Sequence, residues 1–146
     1  MLYFLLFLIA IFFSFLLIRN AGSKKLFNVP WYYRVVSLDI GKVTGRTYRY
    51  KNIVGIPDAV FKHILLPIYI VGELKGRRLG YSGVHGFEQN QVMIYIGIIK
   101  KLHLGYVSGR LAYTDKVVPV KYSKSAFKHM LSRRSAAIAV MVRHNK

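Results

Sequence analysis

The stretch that decides the fold is residues 56–75, IPDAVFKHILLPIYIVGELK. Its apolar runs, 56–63 and 66–75, are rich in β-branched and aromatic residues and predict two successive strands. Each run carries an acid, Asp58 in the first and Glu73 in the second. A buried carboxylate is costly unless a charge or a metal compensates it. Residues two apart on a strand share a face, so Glu73 and Lys75 point the same way. If the two strands pair as a hairpin, Asp58 sits beside Glu73. Two carboxylates with a lysine at a strand end form a candidate divalent-metal site. A hard Mg2+ or Mn2+ ion would take carboxylate oxygens, a backbone carbonyl and water. It would polarise a phosphoryl oxygen and lower the pKa of a bound water. Lys75 would orient that water or steady the charge that grows in the transition state.

Working outward, residues 46–51 (RTYRYK) alternate as a further strand before the hairpin, and 27–39 (FNVPWYYRVVSLD) read as a short helix with Pro30 in its first turn. Downstream, residues 76–83 are a basic, Gly-rich loop. Residues 85–101 read as a helix closed by Lys100 and Lys101, which suit the negative end of its dipole. Residues 104–113 and 116–122 predict a second hairpin around Thr114-Asp115, and Ser123 caps a final helix. The expectation is a mixed α/β fold with a small central sheet flanked by helices.

The first 18 residues, MLYFLLFLIAIFFSFLLI, contain no charge, Gly or Pro. As a helix they would reach about 27 Å, enough to span a bilayer core. The expectation is a transmembrane anchor over 1–18, a linker over 19–27 and one domain over 28–146. Arg19, Lys24, Lys25 and Arg34 follow the apolar run. By the positive-inside rule they favour a single-pass topology with the N-terminus outside and the body cytoplasmic.

Charge points to the partner. The chain holds 23 Lys and Arg against 5 Asp and Glu, a net charge of +18, spread along its whole length. Such a chain favours a polyanion, and nucleic acid over anionic headgroups, because a headgroup cluster would sit close to the anchor. Arg77 and Arg78, in the loop directly after Lys75, are candidate phosphate contacts. The chain has no cysteine, which excludes disulfides, thiolate catalysis, zinc fingers and cysteine-ligated iron–sulfur clusters.

Pro57-Asp58, then 14 residues, then Glu73-Leu74-Lys75 resembles the signature of the PD-(D/E)xK nuclease superfamily. Gln91-Val92-Met93-Ile94-Tyr95, beginning 16 residues after Lys75, is similar to the Q-x-x-x-Y motif of its RecB-like exonuclease branch. Gln91 and Tyr95 are four apart and share one helix face. The resemblance covers about Tyr48 to Tyr122. It implies a restriction-endonuclease-like αβββαβ core and Mg2+- or Mn2+-dependent hydrolysis of DNA phosphodiesters, with exo- and endonucleolytic modes and RNA as a substrate left open. It also implies Asp58, Glu73 and the Leu74 carbonyl as metal ligands, Lys75 as the catalytic lysine, and Gln91 and Tyr95 as residues that contact substrate or brace the site. The alternative expectation is a non-catalytic, membrane-tethered nucleic-acid-binding or accessory protein of a DNA-transfer or defence complex. A homo-oligomer or a larger membrane assembly is compatible with either.

Overall fold

A computed structural model describes residues 3–8, 11, 14, 21–41, 43–81 and 83–133. After a short helix α1 (Ala21–Leu26) come strands β1 (Tyr33–Leu38), β2 (Tyr48–Tyr50), β3 (Ile53–Gly55), β4 (Ala59–His63) and β5 (Ile68–Leu74). Helix α2 (Gly86–Leu102) and strands β6 (Tyr106–Ala112) and β7 (Val117–Val120) follow, and residues 124–133 are again helical. Five strands form one mixed sheet in the order β1-β4-β5-β6-β7, while β2 and β3 make a separate hairpin. β4 is antiparallel to both β1 and β5, and β6 to β7. β5 and β6 are parallel, with α2 as the crossover that such a pair requires.

Alternation along β5 builds two cores. Tyr69 and Val71 face α2, where Val92, Ile96 and Ile99 cover them together with Val60, Val107 and Leu111. Ile70 faces the other side and joins Phe27, Val29, Tyr33, Ala59 and Phe61. Phe27 is fully buried, which contributes about 1.5–3 kcal/mol. Its ring lies 2.6 Å from where a Cβ on Gly72 would stand, so β5 needs a glycine there. Gly97 plays the same part on α2, where the Phe127 ring lies 2.3 Å from a would-be Cβ. That contact fastens the last helical segment to the body. The expected cap is present, with Ala126 N donating to Ser123 Oγ at 3.3 Å.

Three expectations need correction. The transmembrane helix over 1–18 is not found, because among the described residues no helix is long and apolar enough to cross a membrane. Residues 3–8 are helical, about 9 Å at 1.5 Å per residue against a hydrocarbon core of about 30 Å. Apart from these six and residues 11 and 14, the rest of 1–18 lies outside the described residues. The helix expected over 27–39 is instead β1, whose Tyr33, Val35 and Leu38 pack against the Phe27 core while β1 bonds along β4. Part of the expected linker is α1, where Lys24 is buried and its ammonium donates to Trp31 O at 3.0 Å.

Candidate active site

Ala59 stands opposite Gly72 in the β4–β5 ladder, so Asp58 falls opposite Glu73. Asp58 is held twice. Its carbonyl accepts from Asp39 N at 2.7 Å, and its Oδ2 accepts from Leu74 N at 2.6 Å. Lys75 extends β5 by one residue, because its amide donates to Ala112 O of β6 at 2.8 Å. The parallel pairing that the α2 crossover makes possible therefore fixes the lysine.

The side chains of Glu73, Lys75 and Gln91 form one closed network. Lys75 Nζ lies 3.3 Å from Glu73 Oε1 and donates to Gln91 Oε1 at 2.9 Å. Gln91 Nε2 returns a bond to Glu73 Oε1 at 2.6 Å and reaches the Tyr95 hydroxyl at 3.4 Å. Tyr95 packs its ring against Gly55, which ties the β2–β3 hairpin to this end of the sheet. Five of the residues singled out from sequence, Asp58, Glu73, Lys75, Gln91 and Tyr95, thus lie together.

Electrostatics leave this cluster short of positive charge. Burial pushes the Asp58 carboxyl above its ordinary range, against the opposing effects of the Leu74 amide and Lys75, and Asp39 pushes the same way as burial. Burial likewise raises Glu73, with Asp58 adding to it and Lys75 opposing. Two carboxylates face one ammonium, and among the described residues Glu73 Oε2 is buried without a hydrogen-bond partner. A cation fits that deficit. The donors on offer are carboxylate oxygens, the type that Mg2+ and Mn2+ prefer. Among the described residues no group of three or more His, Asp or Glu side chains could hold a metal ion. Asp58 and Glu73 are thus a two-carboxylate set, in keeping with the one or two carboxylates and several waters usual for Mg2+. Asp39 spends its Oδ1 on Gly45 N, at 2.9 Å.

No family model, no curated protein and no solved structure matches this chain. The site is therefore read from its own chemistry.

The two arginines separate. Arg78 is exposed on the loop after β5. Arg77 turns inward, where Nε and Nη2 donate to Glu88 at 3.1 and 2.7 Å, and further bonds reach the carbonyls of Arg78, Leu79 and Gly83. Its guanidinium also stacks 4.9 Å from the Tyr113 ring centroid. Glu88 is buried and accepts from Tyr113 Oη at 2.7 Å and His85 N at 3.1 Å. The hydrogen bond from Arg77 holds the Glu88 carboxyl down at about 2, while burial and the bond to Glu88 push the Tyr113 phenol up to about 12. This lock gathers the loop after Lys75 onto the start of α2. Its one signal in the sequence is an acid in the first turn of a helix.

Proposed function

We propose that this chain is a metal-dependent nuclease of the PD-(D/E)xK type that hydrolyses DNA phosphodiester bonds. The observation that carries the reading is the meeting of Asp58, Glu73, Lys75 and Gln91 at one strand end, with Glu73 Oε2 buried and, among the described residues, unpartnered. The element order is compatible with it, because once the β2–β3 hairpin inserted after β1 is set aside, three antiparallel strands, a crossover helix and a parallel strand follow α1, as an αβββαβ core would.

Asp58 and Glu73 would hold Mg2+ or Mn2+, with the Leu74 carbonyl beside them. The bound ion would supply Lewis-acid stabilisation of a phosphoryl oxygen and a more acidic water. Lys75 brings an ammonium whose position Glu73 and Gln91 both fix, so it is oriented before substrate arrives. Its charge steadies the anionic phosphoryl group as the bond breaks. Gln91 holds the Glu73 and Lys75 side chains in register with each other, and Tyr95 backs Gln91. Arg78 is exposed and would meet the backbone of the substrate, whereas Arg77 would act through the loop it holds.

A second reading, a non-catalytic nucleic-acid-binding protein, draws on the same network, because Lys75 already has two partners without any substrate. Incubating the full chain with linear and circular DNA, with Mg2+, Mn2+ or chelator, separates the two. The nuclease reading expects metal-dependent cleavage that disappears in Asp58→Ala and Lys75→Ala. Salt-sensitive binding with no cleavage by the unaltered chain would favour the second reading.

A further inference from the structure

The end of the sheet away from the candidate site carries a different surface. At the edge opposite Asp58 and Glu73, three connections meet: residues 30–32 before β1, the 64–67 turn between β4 and β5, and the 103–105 link from α2 to β6. They are laced together by backbone bonds, from Ile64 N to Tyr32 O at 3.1 Å and from Tyr106 N to Pro67 O at 3.1 Å. Most of their side chains are apolar and exposed, while His103 stacks on the Tyr69 ring at 5.0 Å. Leu104 is 95% exposed, Leu65 87%, Trp31 64% and Tyr106 59%, with Ile64 and Leu66 about half exposed beside them. Scattered exposed leucines need no explanation, but a contiguous cluster at loop tips marks an interaction surface.

The chemistry of the surround selects the occupant. Arg34 stands directly opposite Lys62 on β1 and β4, and Lys100 and Lys101 close α2 just before Leu104. Like charges facing each other across a ladder are unfavourable in isolation. All five acids lie elsewhere: Asp39, Asp58 and Glu73 at the far end, Glu88 under Arg77, and Asp115 on Leu79 N. Protruding leucines with a Trp and a Tyr, ringed by Lys and Arg and free of carboxylates, match the border between acyl chains and anionic headgroups. A protein partner of ordinary composition would supply no such continuous field of negative charge.

We propose that this end of the domain docks on the surface of an anionic lipid bilayer, with Trp31, Leu65 and Leu104 entering the headgroup–acyl boundary. This is peripheral docking by loops and does not depend on the nuclease reading. It would place the Asp58–Glu73 cluster about 17 Å further from the lipid, five residues along β5.

Trp31 is the only tryptophan in the chain, so its emission reports this face and no other segment. The full chain is mixed with vesicles of phosphatidylcholine containing a quarter phosphatidylglycerol, with and without bromine on the acyl chains. The expected result is a blue shift of Trp31 emission and strong quenching by the brominated lipid. Both should weaken in phosphatidylcholine alone or in high salt, and disappear in the double variant Leu65→Asp, Leu104→Asp. Vesicle-bound protein whose Trp31 is neither shifted nor quenched would overturn the proposal, since another segment would then hold the membrane. A blue shift that grows with protein concentration without lipid would overturn it in favour of a second copy of this chain. Quenching by DNA but not by brominated lipid would overturn it in favour of nucleic acid.

Discussion

Replacing Arg77 by leucine is expected to destabilise the fold at pH 7 by about 2–4 kcal/mol. Glu88 is buried, and two of the four hydrogen bonds it accepts come from Arg77. Removing one partner of a buried pair costs about 3–5 kcal/mol. The Arg77 side chain is 33% exposed, so solvent screens part of the pair and lowers the figure. The pH dependence carries a definite sign. The Glu88 carboxyl titrates at about 2 in the fold against an ordinary 4.5. The stability it contributes is therefore present above the ordinary value and lost as pH falls through the folded one. The penalty of Arg77→Leu should shrink in step, because a protonated Glu88 no longer needs the arginine. Urea unfolding of the full chain, followed by Trp31 emission at pH 7 and near pH 2, measures both. The midpoint should drop by roughly 1–2 M at pH 7 and much less in acid. An unchanged midpoint at pH 7, or the same loss at both pH values, would refute the reasoning and return Arg77 to the solvent-facing loop.

Two further outcomes follow from packing and charge. Gly97→Ala would drive a methyl into the Phe127 ring and is expected to cost about 1–3 kcal/mol, read as a lower thermal midpoint. Mn2+ at about 100 times its Kd is expected to stabilise the chain by about 2.7 kcal/mol. That gain should fade as pH drops, starting above the ordinary carboxylate values of 3.8 and 4.5, because Asp58 and Glu73 both take up protons early. Without metal the same two carboxyls work the other way. Their contribution is favourable below their ordinary values and is lost as pH rises through the raised ones. Thermal melts with Mn2+ and with chelator across that range test both signs, and a metal gain that does not change with pH would contradict them.

The residues of the candidate site were legible as a group because their pattern is local. Asp58 and Glu73 stand out as acids inside apolar strands, and strand periodicity alone places Lys75 beside Glu73. Helix phase puts Gln91 and Tyr95 on one face, but the bond from Lys75 to Gln91 depends on how α2 packs on the sheet. The Tyr32–Leu38 stretch was harder. Pro30 suits a helix start, yet Tyr33, Val35 and Val36 favour a pleated surface, and the edge of β4 decided between them. Arg77 and Glu88 are eleven residues apart, and nothing in that spacing says that the loop between them folds back. Their pairing is set by where Tyr113 and Gly83 sit, which is tertiary information. The basic, Gly-rich text of that loop reads as a phosphate grip, and only Arg78 is left facing solvent to serve as one. The apolar tips at Trp31, Leu65 and Leu104 lie 34 and 39 residues apart, so their meeting at one sheet edge follows from topology.

Glu73 carries the proposed metal site, since among the described residues its Oε2 is buried without a hydrogen-bond partner. Glu73→Gln keeps the shape of the side chain and the bond from Gln91 while removing the charge. The decisive measurement is the single-turnover rate of DNA cleavage in Mn2+, for the unaltered chain and for this variant. Cleavage by the unaltered chain and a fall of about 100- to 1,000-fold in Glu73→Gln are expected, of the order that loss of a transition-state electrostatic contact produces. Cleavage by Glu73→Gln within about tenfold of the unaltered chain, a difference of only about 1.4 kcal/mol, would contradict this expectation, as would an unaltered chain that cuts nothing.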